Sequence, residues 1–231
     1  MLKLMICCRR TPGFTREQFF DHLRHIHWPL LQATPSVLQM LTAYVQNHAV
    51  LDLPDAMAPF ACARDRDSVI EVTLESAQRL EDLVNLPDYQ ELIRPDEHRF
   101  NDLAHNILMR SSEQTDLRLG AVGRCKRFDF IACDDETDPA RLKDDIRDQT
   151  RHMLLDPSYT ARVDRHVDNF ADPVVDGLGF GQGHYVCIRE VWSHSFTSLA
   201  DVADVSRIRG ADPASFSVFA TEFVMRGALQ H

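Results

Sequence analysis

The sequence predicts an α+β fold in which two tandem ferredoxin-like βαββαβ repeats form one barrel within a single chain. In some segments the apolar residues recur at the period of a strand, and in others at the period of a helix. These segments follow one another in the same order in both halves of the sequence. In addition, the pattern T-A-x-V-x-x-H occurs twice, at residues 42–48 and 160–166. Together these observations indicate an internal duplication.

Pairs of similar residues in the two halves support the duplication, because their separations are nearly equal. The offsets are 118 from His48 to His166, 119 from Glu71 to Glu190 and 116 from Arg110 to Arg226. The domain boundaries that follow are 1–111 for the first repeat, 112–122 for a polar linker and 123–231 for the second repeat.

In the first repeat, the apolar runs predict strands at 2–10, 41–48, 68–74 and 103–111, with helices at 15–28 and 76–86. Thr15 is a suitable N-cap for the first helix, with Gln18 at the capping-box position. Ser76 is placed to cap the second helix, and Pro87 follows its end.

The second repeat follows the same plan. We predict strands at 124–133, 159–167, 184–192 and 215–226, with helices at 138–154 and 198–208. The glycine-rich stretch 177–183 precedes a strand, whereas a dinucleotide-binding loop joins a strand to a helix. It is therefore predicted to be a hairpin loop.

The amino-acid composition disfavours several classes of function. The 231 residues are 44% hydrophobic and carry a net charge of −10, which disfavours nucleic acid or an anionic membrane as a partner. No apolar run is long enough for a membrane span, so we expect a cytoplasmic protein. The six cysteines lack zinc spacing and are expected to be reduced thiols, and we predict no metal site.

A ferredoxin-like sheet carries helices on one face only, so its other face must be covered. Two such sheets can cover each other and close a barrel. Because small-molecule sites are concave and mostly apolar, the barrel interior is the predicted pocket.

The first repeat contains the pattern F-x-x-[YH]-x-x-x-x-H-x-P-L, with Phe19, His22, His27, Pro29 and Leu30 at the defined positions. The resemblance is to the EthD family of dimeric α+β barrel proteins and extends over about residues 1–110. It implies that a degenerate second repeat serves as an intrachain partner. The wider superfamily includes cofactor-free monooxygenases, polyketide cyclases, decarboxylases and lactone isomerases.

His27 is the main catalytic candidate. It shares the inward helix face with Phe19 and Leu23 and lies in the predicted last turn, where the helix dipole favours an imidazolium. It could therefore exchange protons near neutral pH. The alternative is a histidine at the edge of the core that is bonded to a backbone carbonyl.

Strand alternation groups Tyr44, Gln46 and His48 on one face and places Asn47 on the other. The first group is too polar to pack under a helix, so we expect it to line the barrel cavity or to meet solvent. Tyr44 and His48 join His27 as catalytic candidates.

Glu71 and Glu190 each interrupt an apolar strand. They are either proton-transfer groups or structural ion-pair partners of Arg110 and Arg226. The substrate-binding candidates are Gln46, Asn47, Trp28, Glu71, His152, His166 and Trp192.

We expect an enzyme that performs acid–base chemistry, without a cofactor, on a small hydrophobic or aromatic ligand. Oxidation of the monooxygenase type, cyclisation and decarboxylation remain open. The alternative is a non-catalytic protein that binds a hydrophobic metabolite or assists an oxygenase system. Unpaired sheet edges would permit a homodimer.

Overall fold

The computed structural model describes residues 1–134, 136–173, 185–208 and 211–227. The predicted hairpin loop at 177–183 lies outside these residues. No helix among the described residues is long and apolar enough to cross a membrane.

In the described part of the chain, ten strands form a single sheet. They are β1 (Leu2–Cys8), β2 (Ala43–Ala49), β3 (Ala61–Cys62), β4 (Ser68–Leu74), β5 (Ile107–Ser111), β6 (Glu113–Arg118), β7 (Cys125–Ala132), β8 (Arg165–Phe170), β9 (Tyr185–Ser193) and β10 (Phe216–Arg226). Their order is β5-β1-β4-β2-β10-β7-β9-β8-β6, and β3 pairs with β10. Each half therefore contributes four strands in the ferredoxin-like order 4-1-3-2, as predicted.

The fourth strand of each half joins the two halves. The first part of β10 pairs with β7 of its own half, and its last part pairs with β2 of the other half. Likewise β5 pairs with β1, and β6, one residue further on, pairs with β8. The sheet thus curves into a nearly closed barrel, which confirms the predicted fold class.

Helices cover the outer face of this sheet. They are α1 (Arg16–His22), α2 (Trp28–Gln32), α3 (Pro35–Leu38), α4 (Ala77–Val84), α5 (Arg94–Phe100), α6 (Pro139–Leu155), α7 (Pro157–Thr160) and α8 (Phe196–Asp201). Two wider π-helical turns, Leu23–His27 and Tyr89–Ile93, lead directly into α2 and α5. The capping box of Thr15 and Gln18 forms as predicted.

Both faces of the sheet are buried. Leu4, Tyr44 and Ile70 pack outward against the helices of the first half. Met5, Phe128 and other side chains of opposite alternation pack inside the barrel. The barrel interior is therefore filled by side chains from both halves.

The strand register differs from the sequence alignment of the two halves. Residues 157–160 form α7 and β8 begins only at Arg165, so the second T-A-x-V-x-x-H lies mostly before the strand. Asn47 and Asn169 make matching hydrogen bonds and occupy equivalent positions, an offset of 122. Residues 113–118 of the predicted linker form strand β6.

Candidate active site

A cavity of about 100 Å³ lies between the sheet and the helices of the first half. Its volume approaches that of apolar cavities that accept one aromatic ring, about 150 Å³. Apolar side chains from both layers form most of its wall, including Leu4, Ile6, Leu31, Val37, Ile70 and Val72. This cavity is on the helix side of the sheet, whereas the sequence predicts a pocket inside the barrel.

His27 lines this cavity and is held by a buried carboxylate. Its Nδ1 lies 2.9 Å from Oδ2 of Asp96, and Nε2 of His22 lies 3.0 Å from Oδ1 of the same carboxylate. The ring of Phe100 packs against both imidazoles. Because an ionised carboxylate only accepts hydrogen bonds, Nδ1 of His27 carries a proton and Nε2 is the nitrogen that can accept one.

Asp96 is ionised in this arrangement. Burial alone would raise the pKa of its carboxyl, but the hydrogen bonds from His27 and His22 outweigh burial and lower the pKa below its usual value. A carboxylate that fixes the tautomer of an imidazole base is the arrangement found in hydrolase triads.

The two π-helical turns place these residues. In each turn the closing hydrogen bond reaches back five residues, from Trp28 to Leu23 and from Arg94 to Tyr89. A proline follows closely, and its missing N–H favours an irregular turn. Residues five apart lie near each other across so wide a turn, so His22 and His27 both reach Asp96.

His27 therefore lies within a continuous helical segment. The prediction of a helix end at this residue is wrong, because α2 continues to Gln32. The orientation of His27 comes from Asp96, and the helix dipole does not act there as we had expected.

Glu97, the residue after Asp96, is an acidic group on the cavity wall. The hydroxyl of Tyr89 donates to it at 3.1 Å, and Arg94 bonds to it at 3.2 Å. Burial raises the pKa of Glu97 above its usual value, although the charge of Arg94 opposes this. Tyr89 also lines the cavity, and burial raises its pKa.

The three side chains predicted to share one face of β2 do share it, but this face has a different orientation from the predicted one. Tyr44, Gln46 and His48 point toward the helices: Tyr44 lines the cavity, and the Gln46 amide donates to the carbonyl of Leu23. The expectation that this face lines the barrel or meets solvent is wrong. Packing under a helix is possible because the helix itself supplies hydrogen-bond partners.

His48 is separated from His27. Its ring stacks on Phe20 with centroids 4.3 Å apart and contacts Phe223, and Nε2 lies 3.2 Å from Oε1 of Gln46. Burial, aided by the charge of Arg24, lowers the pKa of His48 to about 3. A neutral imidazole enclosed by aromatic rings serves packing, so the structure does not place His48 with the cavity residues. Trp28 stacks on Tyr44 with centroids 5.4 Å apart, behind the cavity wall.

Glu71 and Glu190 lie inside the barrel in a network of charges. Lys3 and Lys126 each pair with both carboxylates, and Lys3 Nζ lies 2.6 Å from Glu71 Oε2. Asn47 and Asn169 complete the network by donating to Glu71 and Glu190 at 2.8 and 2.7 Å. The ion-pair interpretation thus names the right kind of interaction but the wrong partners.

Trp192 extends this network. Its indole N–H donates to Glu222 at 2.9 Å, and the ammonium of Lys126 lies 4.1 Å from its ring centroid. Coulombic attraction to the two lysines lowers the pKa of Glu71 even though burial acts in the opposite direction. These groups bind one another, so Asn47, Glu71 and Trp192 are remote from the cavity.

The equivalent space in the second half is filled by charged side chains. Arg189 and Arg127 are buried where the first half has Ile70 and Leu4, and they pair with Asp168 at 2.8 Å and Asp129 at 3.2 Å. His166 is bound to Asp168 and Tyr159. His152 is exposed on α6 and bonds to a backbone carbonyl. Neither predicted histidine faces a cavity in the part of the chain that the structure describes.

Asp96, Glu97 and Tyr89 were not among the predicted site residues. They lie in the segments "PDYQ" and "PDEHRFND" near the end of the first repeat. Across the described ranges, no group of three or more His, Cys, Asp and Glu residues is arranged to hold a metal ion.

The barrel and the cavity beneath its helices define an α+β barrel protein of the dimeric type, here with both halves in one chain. Residues 11–104 match the family model of the EthD domain. The match ends just before β5 and contains His27, Asp96 and Glu97.

Solved structures share this fold. One is an anthrone oxidase-like protein, with a TM-score of 0.62 and 12% identity over 99% of this chain and 94% of that one. Another is a chlorite dismutase variant from Candidatus Nitrospira defluvii, with a TM-score of 0.52 and 10% identity over 95% and 91% of the two chains. Among curated proteins, none matches the sequence.

Proposed function

We propose that this chain is an enzyme that removes a proton from a small hydrophobic, aromatic substrate bound in the helix-side cavity of the first half. The observation that carries the proposal is His27, which lines an apolar cavity while its Nδ1 is fixed by the buried Asp96. Nε2 of the neutral imidazole accepts the proton, and the carboxylate stabilises the imidazolium that forms.

The proton transfer requires only side chains of this chain, and we propose that it proceeds without a cofactor. The EthD domain and the structural similarity to an anthrone oxidase-like protein support an oxidoreductase-like role. For a methylene between a ring and a carbonyl, loss of the proton gives a carbanion that reduces O₂. The methylene then loses two hydrogens and gains one oxygen atom, and the second oxygen atom leaves as water.

Hydrogen–deuterium exchange isolates the proton-transfer step. We would incubate the purified protein under argon in D₂O with phenylacetone, a one-ring compound whose methylene lies between a ring and a carbonyl. NMR then measures deuterium incorporation at the methylene, and oxygen uptake with the same compound in air measures the complete oxidation. The expected result is that the protein, without any added cofactor, makes deuterium exchange faster than it is in buffer alone.

His27→Gln tests the assignment, and His25→Gln is the matched control because His25 is exposed on the same π-helical turn. General-base removal should slow exchange by about 100-fold or more, whereas the control should match the unsubstituted protein. Equal exchange rates in the two variants would remove His27 from the mechanism.

A non-catalytic binding role is the second candidate, because the cavity wall is largely apolar and a ligand could be held by packing alone. This role predicts aromatic binding with no exchange above the buffer rate, and equal ligand affinity in His27→Gln and the unsubstituted protein.

A further inference from the structure

Two asparagines on the cavity wall carry buried polar atoms without protein partners. Asn106 is 1% exposed, and its Nδ2 has no hydrogen-bond partner among the described residues. Oδ1 of Asn101 is also buried without one. Both residues line the cavity that contains His27. An unpaired buried donor or acceptor costs about 1–3 kcal/mol, so a pair of them on one cavity indicates a ligand.

The two side chains lie at the same end of the cavity. The backbone N–H of Arg9 donates to Oδ1 of Asn106 at 2.9 Å. Arg10, the next residue, forms a β-bridge with Asn101. Both asparagines are thus tied to consecutive residues that follow β1.

The orientation of the Asn106 amide is fixed by this contact. Because Oδ1 accepts from a backbone N–H, the free atom must be the NH₂ group, which donates. Asn101 offers the complementary acceptor. A donor and an acceptor on the wall of one cavity match a hydroxyl group, which has lone pairs and one proton.

We propose that Asn101 and Asn106 form a polar subsite that binds a phenolic hydroxyl of the ligand, with Asn106 Nδ2 donating to the oxygen and Asn101 Oδ1 accepting its proton. The inference rests on the proposed function only in placing an aromatic ligand in this cavity. Asn101 follows Asp96 by five residues, about 7.5 Å along a helix axis. The hydroxyl therefore binds at some distance from the carbon that faces His27.

Three one-ring probes separate the two hydrogen bonds. Para-fluorotoluene can form neither bond, para-fluoroanisole can accept from Asn106, and para-fluorophenol can accept from Asn106 and donate to Asn101. Fluorine NMR titration of the full chain gives their dissociation constants. The expected affinity rises about fivefold at each step of this series.

Each of the two increases in affinity should depend on one asparagine. Asn106→Asp keeps the acceptor for the Arg9 N–H but replaces the donor by a second acceptor, so it should abolish the preference for the anisole over the toluene. Asn101→Leu should abolish the preference for the phenol over the anisole. Asn85→Asp, at an exposed position at the end of α4, is the matched control and should change neither.

Equal affinity of the unsubstituted protein for all three probes would overturn the subsite, whether or not the variants fold. So would preferences that survive both substitutions. Failure of the proposed function would give a different result. In that case the three probes still bind with graded affinities, but the unsubstituted protein does not accelerate methylene exchange.

Discussion

Nδ1 of His27 lies 2.9 Å from Oδ2 of Asp96, although 69 residues separate the two in the chain. Two π-helical turns bring them together, and His22 occupies the other carboxylate oxygen. The carboxylate therefore accepts from two imidazoles at once, which no neutral side chain of similar shape can do.

Asp96→Asn should lower the rate of methylene exchange while the fold is retained. The amide can accept from one histidine but must donate to the other, so one imidazole is forced into the opposite tautomer. We expect a rate loss of about 100-fold or more, measured by NMR under argon. Asp82→Asn, an exposed position on α4, is the control. An unchanged rate in Asp96→Asn would show that the tautomer of His27 is fixed by other means.

Lys126→Met should destabilise the protein strongly. The substitution leaves the buried carboxylates of Glu71 and Glu190 with one lysine between them, and breaking a buried pair costs about 3–5 kcal/mol. Urea denaturation measures the free energy of unfolding. Lys143→Met, at a partly exposed position on α6, controls for the change of residue type.

The double variant Lys126→Met with Glu190→Gln sharpens this test. Removing one uncompensated carboxylate should restore part of the lost unfolding free energy, a coupling that independent sites do not show. Strict additivity of the two single effects would contradict the charge network as the cause.

His48 should make stability depend on pH between about 5 and 7. Its pKa is about 3 in the folded protein and near 6.5 in the unfolded chain, so the unfolded state binds the extra proton as the pH falls. Stability is fully present above pH 6.5 and decreases below it, by about 2 kcal/mol between pH 7 and pH 5. Carboxylates titrate mainly below this window.

Urea denaturation at the two pH values checks this, with His48→Gln as the comparison. The glutamine variant should be less stable at pH 7 but should lose less stability on acidification. The same loss in both proteins would assign the pH dependence to another group.

Arg189→Met should destabilise the protein without affecting exchange. Its guanidinium bonds to Asp168, Thr150 and Gln149 in the space equivalent to the first-half cavity, and an unpaired Asp168 costs about 3–5 kcal/mol. Arg151→Met, exposed on α6, is the control. A reduced exchange rate in well-folded Arg189→Met would instead indicate a working site in the second half.

The fold follows closely from the sequence, whereas the site does so only in part. Strand alternation groups Tyr44, Gln46 and His48 correctly but cannot tell which face meets the helices, because both faces of β2 are buried and both are polar. Lys3 and Lys126 were overlooked, since lysine is rarely buried. Asp96 was overlooked because its partners lie far away in the sequence and meet it only through the π-helical turns.

The eleven-residue strand β10 links both halves, with β7 along its first part and β2 along its last. It follows the other strands that the structure describes, so the edge of β2 that pairs with β10 stays open until β10 has left the ribosome. The barrel therefore closes over a long sequence separation, after the other described strands have been made. The nascent chain consequently carries an open sheet edge and uncompensated interior charges, the features that make a folding intermediate depend on chaperones.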